Sequence, residues 1–145
     1  MGRHWGLSGL LTLICLAGCG GAGDAVERVV VSGMVTKAGG LVKKGRITLY
    51  PVKGTEGPTS GGEIQEGKFR IDAKGGVPVG THRVEIHQFE IKQQIPGRPP
   101  ALDIEVNLLP EQFNKKSTVE LIVESGNKNL EQDYNLDSDF GPVAK

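Results

Sequence analysis

From Val29 onward the chain alternates apolar and polar residues over short segments, and this period of two constrains its fold more than any other feature. The apolar positions of these segments are Val29, Val31 and Val35; Ile47 and Leu49; Phe69 and Ile71; Val84 and Ile86; Leu102, Ile104, Val106 and Leu108; Val119, Leu121 and Val123; Leu130, Tyr134 and Leu136. Successive side chains of a strand point to opposite faces, so each segment is typical of a half-buried strand. No segment carries a sustained helical pattern. We therefore predict an all-β domain of seven or eight strands, counting a weak one around residues 63–65.

The connections between these segments are short and rich in glycine, which predicts tight turns between antiparallel strands. The predicted turn pairs are Gly39-Gly40, Gly61-Gly62, Gly75-Gly76 and Gly126-Asn127. Phe89 and Ile91 have the opposite parity from Val84 and Ile86, so we expect a bulge or bend near residues 87–88. Residues 92–101 contain three prolines, which favour an exposed excursion. The pattern is that of a single antiparallel sandwich.

The first residues have the order of a secretory signal. A basic start is followed by an apolar run over residues 5–16, two small residues and Cys19. Twelve helical residues rise about 18 Å, which is short of the roughly 30 Å hydrocarbon core of a bilayer. We predict a cleaved signal peptide at 1–18, a flexible Gly-rich tether at 19–26, a folded domain at 27–137 and a loose tail at 138–145.

Charge and cysteine content narrow the classes of function. The 17 basic residues balance 17 acidic ones, and no long basic run occurs, so we expect no nucleic-acid partner. Of the two cysteines, Cys15 lies inside the predicted signal. Once it is removed, Cys19 has no thiol left to pair with, and we expect no disulfide.

Leu16, Ala17, Gly18 and Cys19 resemble the lipobox of bacterial lipoproteins, in which the cysteine is acylated and becomes the first residue of the mature chain. A multiply acylated Cys19 would hold the protein on a membrane. The alternatives are an ordinary secretory signal with a chance cysteine, or an uncleaved anchor. The resemblance implies a membrane-anchored protein of the cell envelope, on its periplasmic or cell-surface side.

Several segments of the body, taken in order, resemble small planctomycete-type lipoproteins with a transthyretin-like (prealbumin-like), carboxypeptidase regulatory-like domain. The matching segments are residues 31–35, 45–51, 67–71, 77–84, 109–114 and 117–119. The resemblance implies a Greek-key β-sandwich, and it implies an accessory or binding role rather than catalysis. One branch of transthyretin-like proteins is hydrolytic and ends in Tyr-Arg-Gly-Ser, whereas this chain ends Gly-Pro-Val-Ala-Lys. We therefore carry over no catalytic residues.

The residues offer little sign of catalytic or metal chemistry. His82 and His87 are five apart on one predicted strand, which places them on opposite faces unless a bulge intervenes. No zinc-ligand spacing or G-x-S-x-G elbow occurs, and the acidic residues Glu131, Asp133, Asp137 and Asp139 lack the spacing of a calcium loop. We expect no enzyme activity, no metal and no cofactor.

The remaining candidates are binding surfaces. Aromatic residues that we expect outside the core are possible ligand contacts, and these are Tyr50, Phe89, Phe113 and Phe140. Residues 95–100 form a proline-rich segment that could dock a partner protein. We predict a lipid-anchored envelope lipoprotein with a non-catalytic β-sandwich in a binding or structural role, whose partner is an envelope protein or a glycan. An extracytoplasmic carbohydrate-binding module is the alternative, followed by a small hydrolase. The oligomeric state stays open.

Overall fold

The computed structural model describes residues 26–92, 104–137 and 140–142. These residues contain strands, turns and two short 3-10 segments, and no α-helix. The strands are β1 (Arg28–Lys37), β2 (Gly40–Leu41), β3 (Lys44–Val52), β4 (Ser60–Gln65), β5 (Lys68–Ile71), β6 (Val77–Pro78), β7 (Gly80–Lys92), β8 (Ile104–Asn107), β9 (Glu120–Val123), β10 (Asn129–Glu131), β11 (Tyr134–Asn135) and β12 (Gly141–Pro142). The all-β class is confirmed, with twelve strand segments instead of seven or eight. The segment expected at 130–136 is split into β10 and β11, and three two-residue strands, β2, β6 and β12, lie outside the predicted segments.

The strands form one sheet that curls around an apolar core. The main path of neighbouring strands is β12, β11, β1, β5, β4, β3, β7 and β8, with β2, β6 and β10 also paired to β1 and β9 paired to β7. The alternation in β1, β3, β5, β7 and β9 sends one parity of side chains inward, as predicted. The core residues include Val31, Ile47, Leu49, Ile64, Phe69, Val84, Ile86, Val123, Tyr134 and Leu136.

The sheet is not wholly antiparallel, which corrects the sequence-based expectation. β10 and β11 both run parallel to β1, at successive positions along it. Their pairing with β1 is interrupted at Gly33, where a Cβ atom would lie only 1.8 Å from the backbone oxygen of Gln132. On either side of this contact, the Gln132 N–H donates to the Ser32 oxygen (2.8 Å) and the Met34 N–H donates to Asp133 Oδ1 (2.8 Å). The returning chain therefore packs directly against the backbone of β1.

The predicted bulge in β7 is wrong. The pairing of β3 with β7 runs without interruption from Val52–Thr81 to Gly45–Gln88. β7 continues beyond this point as the partner of β8, with Phe89 opposite Asn107. β7 is one regular strand whose neighbour changes from β3 to β8. The apolar residues change side at this point without a bulge, so Phe89 lies on the outward side, with His87.

Three smaller expectations also need correction. Gly61 and Gly62 lie inside β4, which is a full six-residue strand, and the turn into β5 falls at residues 66–67 instead. Leu108 is exposed, because β8 ends at Asn107 and the next residue, Leu109, is the buried one. Within the expected tail, Gly141–Pro142 pairs with β11, so this part of the tail belongs to the sheet.

Several predicted features lie outside the described residues. They are the signal peptide, the lipobox with Cys19, the Gly-rich part of the tether, Asp139 and the proline-rich segment at 95–100. Among the described residues, no helix is long and apolar enough to cross a bilayer.

Candidate functional site

The outward side of the β3–β7 pair carries an array of charged and aromatic side chains. We call it the Arg-aromatic face, and it consists of Arg46, Thr48, Tyr50, Arg83, Glu85, His87 and Phe89. It forms because even-numbered residues of β3 lie directly opposite odd-numbered residues of β7, so that Arg46 faces His87, Thr48 faces Glu85 and Tyr50 faces Arg83. The opposite parity of both strands fills the core with Ile47, Leu49, Val84 and Ile86. The strand pair thus has one side that fills the core and an outward side on which Arg46 is exposed, Glu85 is buried and the other five residues are partly buried.

Gly45 holds the two strands of this face together at one end. A Cβ atom at this position would lie 2.3 Å from the His87 backbone oxygen, so only glycine permits the observed approach of β3 to β7. The next residue is Arg46, whose position opposite His87 depends on this close pairing.

At the Tyr50 end of the face, the charges are already paired. The guanidinium carbon of Arg83 lies 5.0 Å from the centre of the Tyr50 ring, a cation–π contact. The same guanidinium donates a short hydrogen bond to Glu85, whose side chain is only 8% exposed. Arg83 therefore neutralises the one buried carboxylate of the face and shields the Tyr50 ring.

At the Phe89 end, Arg46 lies between His87 of β7 and Glu63 of β4. The guanidinium carbon of Arg46 lies 5.9 Å from the centre of the Phe89 ring, and the His87 ring stacks on Phe89 at 6.0 Å between centres and 13° between planes. Neither Arg46 nor Lys115 makes an ion pair within the part of the chain that the structure describes. A depression of about 310 Å³ borders Arg46 and Phe89 and continues towards β4 and β8.

Burial and neighbouring charges shift the pKa of His87. Partial burial of the imidazole lowers its pKa below the ordinary 6.5, and the positive charges of Arg46 and Lys115 lower it further, while Glu85 acts in the opposite direction. Arg46 lies directly opposite His87 on β3. His87 therefore favours its neutral form more than a free imidazole does.

His82 lies on the other side of β7, inside the core, as its parity relative to His87 predicts. Its side chain is fully buried, and its Nε2–H donates a hydrogen bond to the Pro78 backbone oxygen at 2.8 Å. Nδ1 has no partner among the described residues. Burial lowers the pKa of His82, although the hydrogen bond to Pro78 opposes the shift. The two histidines cannot act on one ligand.

Of the four aromatic residues predicted as ligand contacts, the structure brings two to one face. Tyr50 and Phe89 are half-buried at opposite ends of the Arg-aromatic face, about 20 Å apart at the usual rise per residue. Phe113 is only 4% exposed and packs edge-on against Phe140, with 5.2 Å between ring centres. Phe113 is therefore a core residue, which corrects the prediction. Phe140 is partly buried and packs against the same core.

Two of the acidic residues near the C-terminus bind backbone N–H groups of β1 and of the residue after it. Asp133 Oδ1 accepts from the Met34 N–H, and Asp137 Oδ1 accepts from the Ala38 N–H at 2.6 Å. Among the described residues, no group of three or more His, Cys, Asp or Glu side chains is arranged to hold a metal ion.

Sequence reasoning missed that Arg46 and His87 lie directly opposite each other. The alternation placed Arg46 and His87 on the outward parity of their strands, but it did not show that β3 pairs with β7 or in which register. Comparison with protein families, with curated proteins and with solved structures finds no match for this chain. The functional conclusions below depend on the geometry of this chain alone.

Proposed function

We propose that this protein is a lipid-anchored lipoprotein of the bacterial cell envelope, with a non-catalytic, transthyretin-like Greek-key domain that binds an envelope ligand. Acylated Cys19 would attach it to the membrane, and the Arg-aromatic face would contact the ligand. The order of the N-terminal segments and the lipobox at residues 16–19 support the anchor.

The observation that carries the binding role is the Phe89 end of the face. Arg46 makes no ion pair within the described residues, and its guanidinium carbon lies 5.9 Å from the centre of the half-buried Phe89 ring. Exposed aromatic and arginine side chains are the types that contribute most to binding interfaces. A surface that served only to keep the domain soluble would need neither the ring nor its position beneath the cation.

The arrangement of the histidines supports a role without catalysis. A general base has to reach the proton that it removes, at hydrogen-bond distance from the substrate. His82 lies within the core, bonded to the backbone of Pro78, and no ligand can approach it without unfolding. His87 is accessible, but its neighbours on the face are cations, an aromatic ring and the carboxylate of Glu85, which is already bonded to Arg83.

The anchor is tested by replacing Cys19 with alanine in the producing cell. We expect Cys19→Ala to abolish acylation and to release the protein from membranes or leave its signal unprocessed, as measured by fractionation and mass spectrometry. Cys15→Ala is the matched control. Cys15 is the other cysteine of the chain and lies in the predicted apolar run, outside the lipobox, so its replacement should leave acylation unchanged. Retention and acylation of the Cys19→Ala protein would refute the anchor.

The binding role is tested by capture from envelope extract, using the full-length chain in detergent and identifying both proteins and glycans. We expect the wild-type chain to retain a specific ligand and the double variant Tyr50→Ala, Phe89→Ala to lose it. Leu41→Ala is the control, because Leu41 is an exposed apolar residue on β2, which pairs with β1 and not with β3 or β7. If both variants retain the ligand equally, the Arg-aromatic face is not the binding surface.

A carbohydrate-binding module is the second candidate function, favoured by the positions of Tyr50 and Phe89. The two rings lie on one side of one strand pair, about 20 Å apart, so an extended chain of sugars could contact both. Retention of glycan alone would select this function, and retention of a protein alone would select an assembly role.

A further inference from the structure

We propose that a cavity beside the first residue of β1 binds a phosphate group, held by the side chains of Arg28 and Lys74 and by the hydroxyl groups of Thr59 and Ser60. The phosphate belongs to a lipid headgroup or to a free phosphate ester. The cavity shares no residue with the Arg-aromatic face, so the proposal goes beyond the binding function proposed above. Only the lipid source rests on the proposed anchor.

The cavity lies between the ends of β4 and β5. The two strands pair next to their turn, as far as Ile64–Phe69, whereas β4 begins at Ser60 and β5 ends at Ile71. A cavity of about 160 Å³ opens between these ends. This volume is well below the roughly 300 Å³ of the smallest usual small-molecule sites, so it suits a single phosphate group better than a sugar or a nucleotide.

The charged side chains that line the cavity are cations. Arg28 and Lys74 border it, and no aspartate or glutamate lines it within the residues that the structure describes. Neither cation makes an ion pair in that part of the chain. Asp72 is close in sequence, but its Oδ2 accepts from Arg70 Nε at 2.9 Å. The charges at this cavity therefore favour an anionic ligand.

The packing of residues 73–76 against β1 brings the two cations together. A Cβ atom at Gly76 would lie 2.3 Å from the Val29 backbone oxygen, so only glycine permits this approach. The Arg28 side chain passes beside Gly75, and its Nη1 donates to the Gly76 backbone oxygen at 2.9 Å. A guanidinium has five N–H donors in a planar fork, so four remain for two oxygens of a phosphate. Arg28 is thus oriented before a ligand binds.

The hydroxyl groups on the cavity wall favour a phosphate over a carboxylate. Thr59 and Ser60 line the cavity together with the two cations, and each offers an O–H donor. A phosphate group is tetrahedral and presents oxygens in several directions, so it can accept from the cations and from the hydroxyl groups at once. A carboxylate has two oxygens in one plane and would leave some of these donors without an acceptor.

The place of the cavity in the chain brings a lipid phosphate within reach. Arg28 follows Cys19 by nine residues, and nine residues span at most about 32 Å. With Cys19 acylated as proposed above, the cavity lies no farther than this from the lipid headgroups. A free phosphate ester offers the same group to the same donors, and experiment has to distinguish the two sources.

Calorimetric titration of the full-length chain in non-ionic detergent with glycerol phosphate tests the site. We expect saturable binding that Lys74→Gln weakens by about tenfold, because a hydrogen bond to a charged group is lost. Lys128→Gln is the matched control and should change the affinity less than about twofold. Lys128 is exposed and its backbone oxygen accepts from the Val30 N–H, so it lies near the same end of β1 but outside the cavity. Acetate is the control anion and should not bind.

Lys74→Gly separates the loss of the ligand from the loss of the fold. Lys74 has φ 54° and ψ 28°, a left-handed conformation that glycine adopts without steric cost. This variant should lose glycerol phosphate binding as Lys74→Gln does, while its midpoint of urea unfolding stays equal to that of the wild type or rises. A lower midpoint would show that the lysine side chain supports the fold, and it would overturn its assignment to a ligand.

Phosphatidic acid added to the detergent micelles distinguishes the two sources of phosphate. Tighter binding of phosphatidic acid than of glycerol phosphate, lost in Lys74→Gln, identifies a lipid headgroup as the ligand, and the reverse order identifies a free ester. Absence of binding in both arms, equal binding of acetate, or an equal loss in Lys128→Gln would overturn the proposal. Release of acylation from Cys19 concerns the anchor alone, because glycerol phosphate binding does not require it, and a failed envelope capture concerns the Arg-aromatic face alone.

Discussion

Replacing Gly33 with alanine should destabilise the domain strongly, and the size of the effect follows from the packing of the returning chain against β1. The new Cβ atom would lie 1.8 Å from the Gln132 oxygen, more than an ångström closer than such atoms normally approach. The chain at residue 132 must therefore move away from β1. The movement disturbs two hydrogen bonds, from Gln132 N–H to Ser32 O and from Met34 N–H to Asp133 Oδ1, each 2.8 Å long.

Each of these bonds contributes about 1 kcal/mol, and forced displacement in a packed region costs about 1–3 kcal/mol in addition. We expect the free energy of unfolding of a fragment spanning 20–145 to fall by about 3–5 kcal/mol, measured by urea denaturation. Gly40→Ala is the matched control, because the nearest atom to its Cβ would be the Lys37 oxygen at 3.6 Å, an ordinary contact. It should change stability by less than about 0.5 kcal/mol. Equal stabilities for the two variants would refute the parallel pairing of the C-terminal strands with β1.

Three further predictions concern buried groups. Tyr134→Phe should raise the free energy of unfolding by about 1 kcal/mol, because the buried hydroxyl has no hydrogen-bond partner among the described residues; a loss of stability in urea denaturation would show that it has one. The unfolding midpoint of the wild-type fragment should fall as the pH drops from about 7.5 to about 5.5, because burial lowers the pKa of His82 below 6.5 and folding therefore favours its neutral form. His82→Leu should reduce this pH dependence, and an unchanged slope would contradict the assignment. Ile47→Val should cost about 1 kcal/mol by the same denaturation assay, since Ile47 is completely buried, and an unaffected midpoint would place it outside the core.

The strands could be predicted from the sequence because the alternation of residues such as Val29 and Val31 reports burial directly. The same pattern placed the side chains of β3 and β7 on their correct faces. It failed at Leu108, where the Asn107 side chain accepts from the Leu109 N–H and the chain leaves its strand. It also failed at Phe89, because a strand that changes neighbours midway produces the same pattern as a bulge.

The candidate site could be predicted only in part, because it depends on pairing between strands that are distant in sequence. Tyr50 and Phe89 were identified as exposed aromatic residues, but periodicity contains no information on the register that places Arg46 opposite His87. Phe113 was misplaced for a related reason. It lies in an irregular loop, where side-chain direction follows tertiary packing against Phe140 and not a period of two.

The position of β1 at the centre of the sheet affects the order in which the chain can fold during its synthesis. β1 is the first of the described strands to be synthesised, yet it pairs with β10 and β11, and the Met34 N–H donates to Asp133 across 99 positions of sequence. Contacts between such distant residues slow folding, and β1 keeps one of its edges open until almost the whole chain has been synthesised. The export that we propose for this chain would benefit from the delay, because a chain that cannot finish folding from its N-terminal part stays extended enough to be threaded across a membrane. Moving β10 and β11 to the front of β1 by circular permutation would remove the delay, and export should then become less efficient.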